Sequence, residues 1–147
     1  MTTTTALLHK TALMAGLAAL LAGCGVDPEE RRADILMMQN QIVESIVAYQ
    51  TGEAISEYCP RYNFNYGEER RANDRIVAEA IRQGHSQSTF NIALHSIPEE
   101  RLDEARIEME LYFRTNRLDP NAPASFCEVG DREVAARSAI GAYLIPR

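Results

Sequence analysis

The sequence has no tryptophan and a single lysine, Lys10. It has only one apolar run, residues 11–21, and that run is too short to cross a membrane, which takes about 20 apolar residues. A stable membrane span is therefore excluded there. No Cys-x-x-Cys is present, which argues against a redox dithiol, and no Cys-x-x-Cys-His, which excludes covalent haem at the level of motif. A glycine-rich phosphate loop, a Gly-x-Ser-x-Gly elbow and a His-Glu-x-x-His pair are also missing. Positive charge is scarce: fifteen Lys plus Arg stand against 21 Asp plus Glu. An acidic chain is poorly suited to nucleic acid, since phosphate contacts need a basic face.

What is present begins with an export pattern. A threonine-rich start leads to Lys10, then to the apolar stretch from Thr11 to Leu21 and the small pair Ala22-Gly23 before Cys24. That order of charge, short apolar segment and small residues is a signal peptide. Leu21-Ala22-Gly23-Cys24 resembles the lipobox of bacterial lipoproteins. The resemblance implies cleavage before Cys24, acylation of its sulfur and a membrane anchor. One acyl chain binds a bilayer marginally, and two or three hold firmly. Ordinary cleavage beside a chance cysteine is the bland alternative. Gly25-Val26, rather than an aspartate, follows the cysteine. By the family's sorting rule this points to the outer membrane, facing the periplasm, with the outer leaflet of the inner membrane as the alternative.

Cleavage removes 23 of the 147 residues and leaves 124, enough for one domain. The expected organisation is a signal at 1–23, a lipidated tether at 24–27 and a single domain at 28–147. Lys10 leaves with the signal, so the mature chain carries fourteen arginines against 21 carboxylates, a formal charge of −7. An anionic lipid surface would repel such a domain, which fits a tether better than adsorption. Cys59 and Cys127 remain as an even pair in an oxidising compartment, and we read them as a disulfide; two buried free thiols are the competing reading. They lie 68 positions apart, and closing such a loop stabilises a fold by roughly 4 kcal/mol in the chain-entropy model.

The periodicity predicts an all-α bundle of five or six helices. Asp27-Pro28-Glu29-Glu30 is a helix start, with an Asp cap, Pro at the first position and Glu three after the cap. Ile35, Met38, Ile42, Ile46 and Tyr49 then mark one face to about Gln50, with Gly52 as the stop. A short helix from Glu53 to Tyr58 carries Cys59 and ends at Pro60. Residues 61–67 read as a loop, and a helix follows from Glu68 to about Gln83. Ser86 to His95 reads as a short helix or a strand. Ser96-Ile97-Pro98-Glu99 has capping-box spacing and opens a helix to about Asn116, with Leu102, Ala105, Met109 and Tyr112 inward. The last helix is expected over Ala124 to Leu144, bent near Gly130. Its narrow face of Cys127, Gly130, Val134, Ser138 and Gly141 would let the helix carrying Cys59 approach closely.

Cys59-Pro60, Leu118-Asp119-Pro120, Ser125-Phe126-Cys127-Glu128-Val129-Gly130 and Ser138-Ala139-Ile140-Gly141-Ala142-Tyr143-Leu144 resemble a family of small exported proteins of Rhodobacter-type α-proteobacteria, of unknown function. The resemblance covers about residues 50–145. It implies an all-helical fold with two spaced cysteines and supplies no catalytic residues. The lipobox and the long first helix stand out as departures from it.

For chemistry, the spacing of ten between His85 and His95 does not place two metal ligands on one helical face, so no metal or other cofactor is expected. Glu99, Glu100, Asp103, Glu104, Glu108 and Glu110 alternate with Arg101, Arg106 and Arg114, the pattern of a solvated ion-paired face rather than a glycosidase pair. The best candidate for a partner-binding surface is the aromatic stretch with Tyr58, Arg61, Tyr62, Phe64 and Tyr66, since Tyr and Arg favour binding hot spots. The same rings would equally serve to cover the disulfide and fill the end of the bundle. The expected role is a non-catalytic adaptor, assembly factor or accessory subunit of an envelope complex, with a protein partner and no nucleic acid. A small cell-wall enzyme or a periplasmic small-ligand binder is the alternative.

Overall fold

The structure, a computed structural model, describes residues 27–147; the expected signal 1–23, the lipidation site Cys24 and the tether residues 25 and 26 lie outside the described residues. Five α-helices are described: α1 Pro28–Tyr58, α2 Gly67–Arg82, α3 Gln87–His95, α4 Glu99–Thr115 and α5 Pro123–Ala136. Two short strands, β1 Tyr62–Phe64 and β2 Leu144–Pro146, and a 3₁₀ turn at Gly141–Tyr143 complete the order. The fold is small and all-α. Residues 27–31 belong to a separate compact unit from the body, Arg32–Arg147. That first turn of α1 starts as the sequence predicts: Asp27 Oδ1 accepts from Glu29 N–H at 3.0 Å, and Asp27 O accepts from Arg31 N–H at 2.9 Å.

At 31 residues, α1 is about 46 Å long at 1.5 Å per residue. It supplies side chains to two cores. Met38 and Ile42 pack with Ala80 of α2 and with Phe90 and Ala93 of α3. Further along, Ile55 and Cys59 join Tyr62, Phe126, Cys127, Val129 and Leu144. Gly52 does not stop the helix, contrary to expectation. A Cβ there would sit 2.7 Å from Tyr143 Cβ, so Gly52 serves as the point where the C-terminal tail crosses α1. With the helical hydrogen bonds intact on both sides, a glycine costs about 1 kcal/mol rather than ending the helix. The expected break between Gln50 and Glu53 is absent, and Pro60 provides the stop.

Two further expectations give way to one feature. Residues 62–64 are a strand rather than part of a loop, and the last helix ends at Ala136 instead of reaching Leu144. Arg137 takes the left-handed conformation (φ 52°) and turns the chain back. Leu144 then pairs with Phe64, Ile145 with Asn63 and Pro146 with Tyr62 in an antiparallel ribbon. Arg147 N–H to Arg61 O (2.9 Å) and Asn65 N–H to Tyr143 O (2.8 Å) extend the ribbon at both ends. Helix α5 passes through Gly130 unbroken. The predicted close approach at that residue is real: a Cβ on Gly130 would meet Tyr62 Cε2 at 2.8 Å and Ile55 Cγ2 at 3.1 Å. Ser138 and Gly141 lie past the end of α5, so only the first part of the expected small face is helical.

Residues 87–95 are helical, with Ser86 as N-cap accepting from Thr89 N–H. The capping box at Ser96–Glu99 is not formed; Pro98 occupies the cap position of α4 without a side-chain bond. Ser96 Oγ donates instead to Ile92 O at 2.6 Å and accepts from Gln39 Nε2 at 3.2 Å. Gln39 Nε2 also donates to Ser96 O at 2.9 Å. A buried amide on α1 thus satisfies acceptors that the C-terminus of α3 leaves open.

Candidate functional site

The disulfide pairs Cys59, just past α1, with Cys127 in α5, their Cα atoms 5.0 Å apart. Tyr58 stacks on Phe126 at 4.7 Å, and Phe113 of α4 meets the same ring edge-on at 6.1 Å. Tyr62 lies buried over Gly130. Its hydroxyl donates to Asp131 Oδ1 at 2.6 Å, while Arg61 Nη2 holds Asp131 Oδ2 at 2.8 Å. Burial, then the hydrogen bond to Asp131, pushes the Tyr62 phenol up. Phe64 stacks face-on against Tyr143 at 5.6 Å and meets Tyr49 and Tyr66 edge-on at 5.0 and 4.9 Å. Of the five residues singled out in the sequence, Tyr58, Tyr62 and Phe64 thus face the interior wholly or in part. Arg61 and Tyr66 are exposed, Tyr66 by 72%. Tyr66 lies two residues past β1, its ring edge-on to Phe64.

A second tyrosine–carboxylate contact joins α4 to α5. Tyr112 Oη donates to Glu133 Oε1 at 2.6 Å, and Arg132 approaches the same oxygen at 3.3 Å while donating to Asn116 Oδ1 at 2.6 Å. Burial and the hydrogen bond to Glu133 push the Tyr112 phenol up to about 12. For Glu133, burial acts to raise the carboxyl, but bonds from Ser138, Tyr112 and Arg132 outweigh it and hold the group below its ordinary value. Glu68 of α2 is similar. Its buried carboxylate takes Arg71 Nε at 2.7 Å and Arg75 Nη2 at 2.6 Å, which outweigh desolvation and lower its pKa.

The remaining sequence candidates are dispersed. His85 Nδ1 lies 3.1 Å from Asp34 Oδ2, and His95 is exposed at the end of α3. Among the described residues no cluster of three or more His, Cys, Asp or Glu is placed to hold a metal ion. On α4, Arg101 pairs with Glu104, and Arg106 with Asp103 (3.2 Å) and Glu110 (3.9 Å), which Arg114 also reaches at 3.9 Å. No helix among the described residues is long and apolar enough to cross a membrane.

A groove of about 470 Å³ along α1 and α2 has no counterpart in the sequence reading. Ala48, Ala72, Ile76 and Ala139 line it, with Tyr143 and the polar Gln41, Ser45, Arg75 and Arg82. Tyr143 and Ser45 also line a second cavity of about 240 Å³. The Tyr143 side chain is buried, and its hydroxyl has no hydrogen-bond partner among the described residues. Its lining residues come from α1, α2 and the returning tail, which only the tertiary structure brings together.

The profile of a family of unknown function, DUF5333, matches residues 34–145. The chain belongs to the DUF5333 family. The DUF5333 match starts within α1 and takes in both cysteines, the aromatic stretch, the groove and α2 to α5. The match begins at Asp34, so most of α1 lies within it. No curated protein and no solved structure matches this DUF5333 chain.

Proposed function

We propose that the protein is a lipid-anchored lipoprotein facing the periplasm, and that it serves as a non-catalytic adaptor, assembly factor or accessory subunit of an envelope complex. The observation that carries the reading is the Cys59–Cys127 disulfide in a chain that also has Leu21-Ala22-Gly23-Cys24 near its start. A disulfide persists in an oxidising compartment, and the lipobox supplies both the route there and the anchor. The resemblance to exported proteins of Rhodobacter-type α-proteobacteria supports the same address, and Gly25-Val26 favours the outer membrane.

The contact surface in this proposal is the exposed pair Arg61 and Tyr66. Both flank β1, where the ribbon and the disulfide fix the backbone in advance, so little conformational entropy is lost on binding. Asp103, Glu104 and Glu110 are engaged by arginines of their own helix, which favours a solvated face over a carboxylate pair acting on substrate. The test is crosslinking in living cells, with a photoreactive residue in place of Tyr66 and affinity purification of the full lipidated chain. One partner recovered near one-to-one supports the adaptor. Recovery of only bulk membrane proteins contradicts it.

A further inference from the structure

Helix α4 carries apolar residues on the side that faces away from the body. Its inner side is Ala105, Met109, Tyr112 and Asn116, three or four apart and buried or half-buried. Ile107 and Leu111 lie on the opposite side, 59% and 61% exposed. The exposed Glu100, Glu104 and Arg114 continue that outer line, so positions 100, 104, 107, 111 and 114 alternate steps of four and three. Such a spacing is the seam of a helix that packs along another helix.

The charges on this line select the occupant. The first half of α4 carries Glu100, Asp103 and Glu104; its far end carries Arg114, with Arg117 just beyond. When two α4 helices run antiparallel, centred on Met109, Ile107 of one copy lies level with Leu111 of the other, and Glu104 with Arg114. A two-fold interface is isologous, so each of these layers occurs twice. Arg117 comes beside the turn that holds Glu100 and Asp103. Among the described residues no ion pair engages Glu100 or Arg117. A parallel pair would set Glu104 against Glu104 and Arg114 against Arg114, and like charges so placed repel. Within one chain Glu104 pairs with Arg101, and Arg114 reaches Glu110 at 3.9 Å. A carboxylate has room for a second arginine, and exposed pairs exchange at little cost.

We propose that the outer face of α4 binds a second copy of this chain, antiparallel, along Glu104, Ile107, Leu111 and Arg114. The seam from Glu104 to Arg114 is about 15 Å long, so the pair is weak and sits at the small end of specific interfaces. Beside the two-fold axis Glu108 and Glu110 approach their own copies. Arg106 and Arg114 attend Glu110 at 3.9 Å, which leaves Glu108 as the residue that opposes association. This surface stands independently of the adaptor reading and of the contact at Tyr66.

The test is sedimentation equilibrium of the purified full chain up to about 1 mM, where so small an interface associates. Dimers and nothing larger are expected. Arg114→Glu sets Glu104 against a glutamate, and Glu104→Arg sets an arginine against Arg114. Each variant alone should weaken association at least about tenfold. Mixed one to one, the two variants restore the opposite-charge layers, and the mixture should regain the wild-type association. Leu111→Gln should abolish dimers with the helical content unchanged, and Glu108→Gln should tighten them. A wild-type monomer across the whole range overturns the proposal. So does a mixture that associates no better than its separate variants, because the chains would then pair elsewhere or in parallel. A monomer that instead co-sediments with phosphatidylcholine vesicles, and loses them on Leu111→Gln, would put a lipid surface on this face and overturn it equally.

Discussion

Gly52 and Gly130 do their work through the absence of a side chain, each at a crossing with another part of the chain. At Gly52 an added Cβ faces Tyr143 Cβ at 2.7 Å, and neither atom can move without its backbone. Gly52→Ala gains about 1 kcal/mol of helix propensity but meets an overpacking cost of about 1–3 kcal/mol, and it lies mid-way along a crossing that carries the ribbon. We expect a net loss of stability, read as a lower urea midpoint; an unchanged or higher midpoint would show that the tail does not cross there. Tyr62 makes the other informative contact at this scale. Tyr62→Phe removes a hydrogen bond to a carboxylate that Arg61 still holds, so a loss of about 1–2 kcal/mol is expected in the same assay. A neutral result would mean that the Tyr62–Asp131 bond is exchanged for water at no cost.

Among the elements, α2 and α4 are read from their residues nearly to their ends, whereas α1 is read in its start and its first part only. The Asp27-Pro28 start and the stripe of Ile35, Met38, Ile42, Ile46 and Tyr49 announce it, because capping and periodicity are local properties. Its continuation through Gly52 is not local; it depends on Tyr143, which lies 91 positions further along the chain. The ribbon escapes a sequence reading for the same reason. Strands of three residues carry almost no alternation, and β1 exists because β2 returns to it. The end of α5 is equally hidden, since Arg137 adopts a left-handed conformation that glycine or asparagine would have signalled and arginine does not. Legibility also differs between the candidate surfaces. The aromatic stretch stands out as composition, whereas its division into an interior set and the exposed Arg61 and Tyr66 follows from packing. Gln39 illustrates what a buried polar residue contributes between elements. Gln39→Leu deprives Ser96 O of its donor and should cost about 1–3 kcal/mol, with hydrogen-exchange protection lost first at the end of α3. Uniform loss across the molecule would contradict a role confined to that junction.

For the whole molecule, the disulfide and the partnered carboxylates of Glu68 and Glu133 set how stability varies with conditions. Cys59→Ser with Cys127→Ser frees a loop of 68 positions and should cost about 2–5 kcal/mol in chemical denaturation. A negligible change would mean that the α1–α5 contact around Gly130 holds the fold unaided. The carboxyls of Glu68 and Glu133 lie below their ordinary value in the folded state. Their contribution is therefore fully present above the unfolded glutamate range and is lost as pH falls through the depressed folded values. Tyr112 has the opposite sign. With a folded pKa near 12 against 10 when unfolded, its contribution is intact below 10 and is lost as pH rises through about 12. Stability should thus fall at both ends of the pH scale, with Glu68→Gln flattening the acid limb and Tyr112→Phe the alkaline one. An acid limb unchanged by Glu68→Gln would show that the Arg71 and Arg75 contacts contribute nothing to folding.

The central claim joins address to architecture: an acylated Cys24 ahead of a body closed by Cys59 and Cys127. Intact mass analysis of the protein extracted from membranes, without reduction, tests both halves at once. The account predicts a chain beginning at an acylated Cys24, with no free thiol on Cys59 or Cys127. A chain that retains residues 1–23, an unmodified Cys24, or free thiols at both of the other cysteines would contradict it.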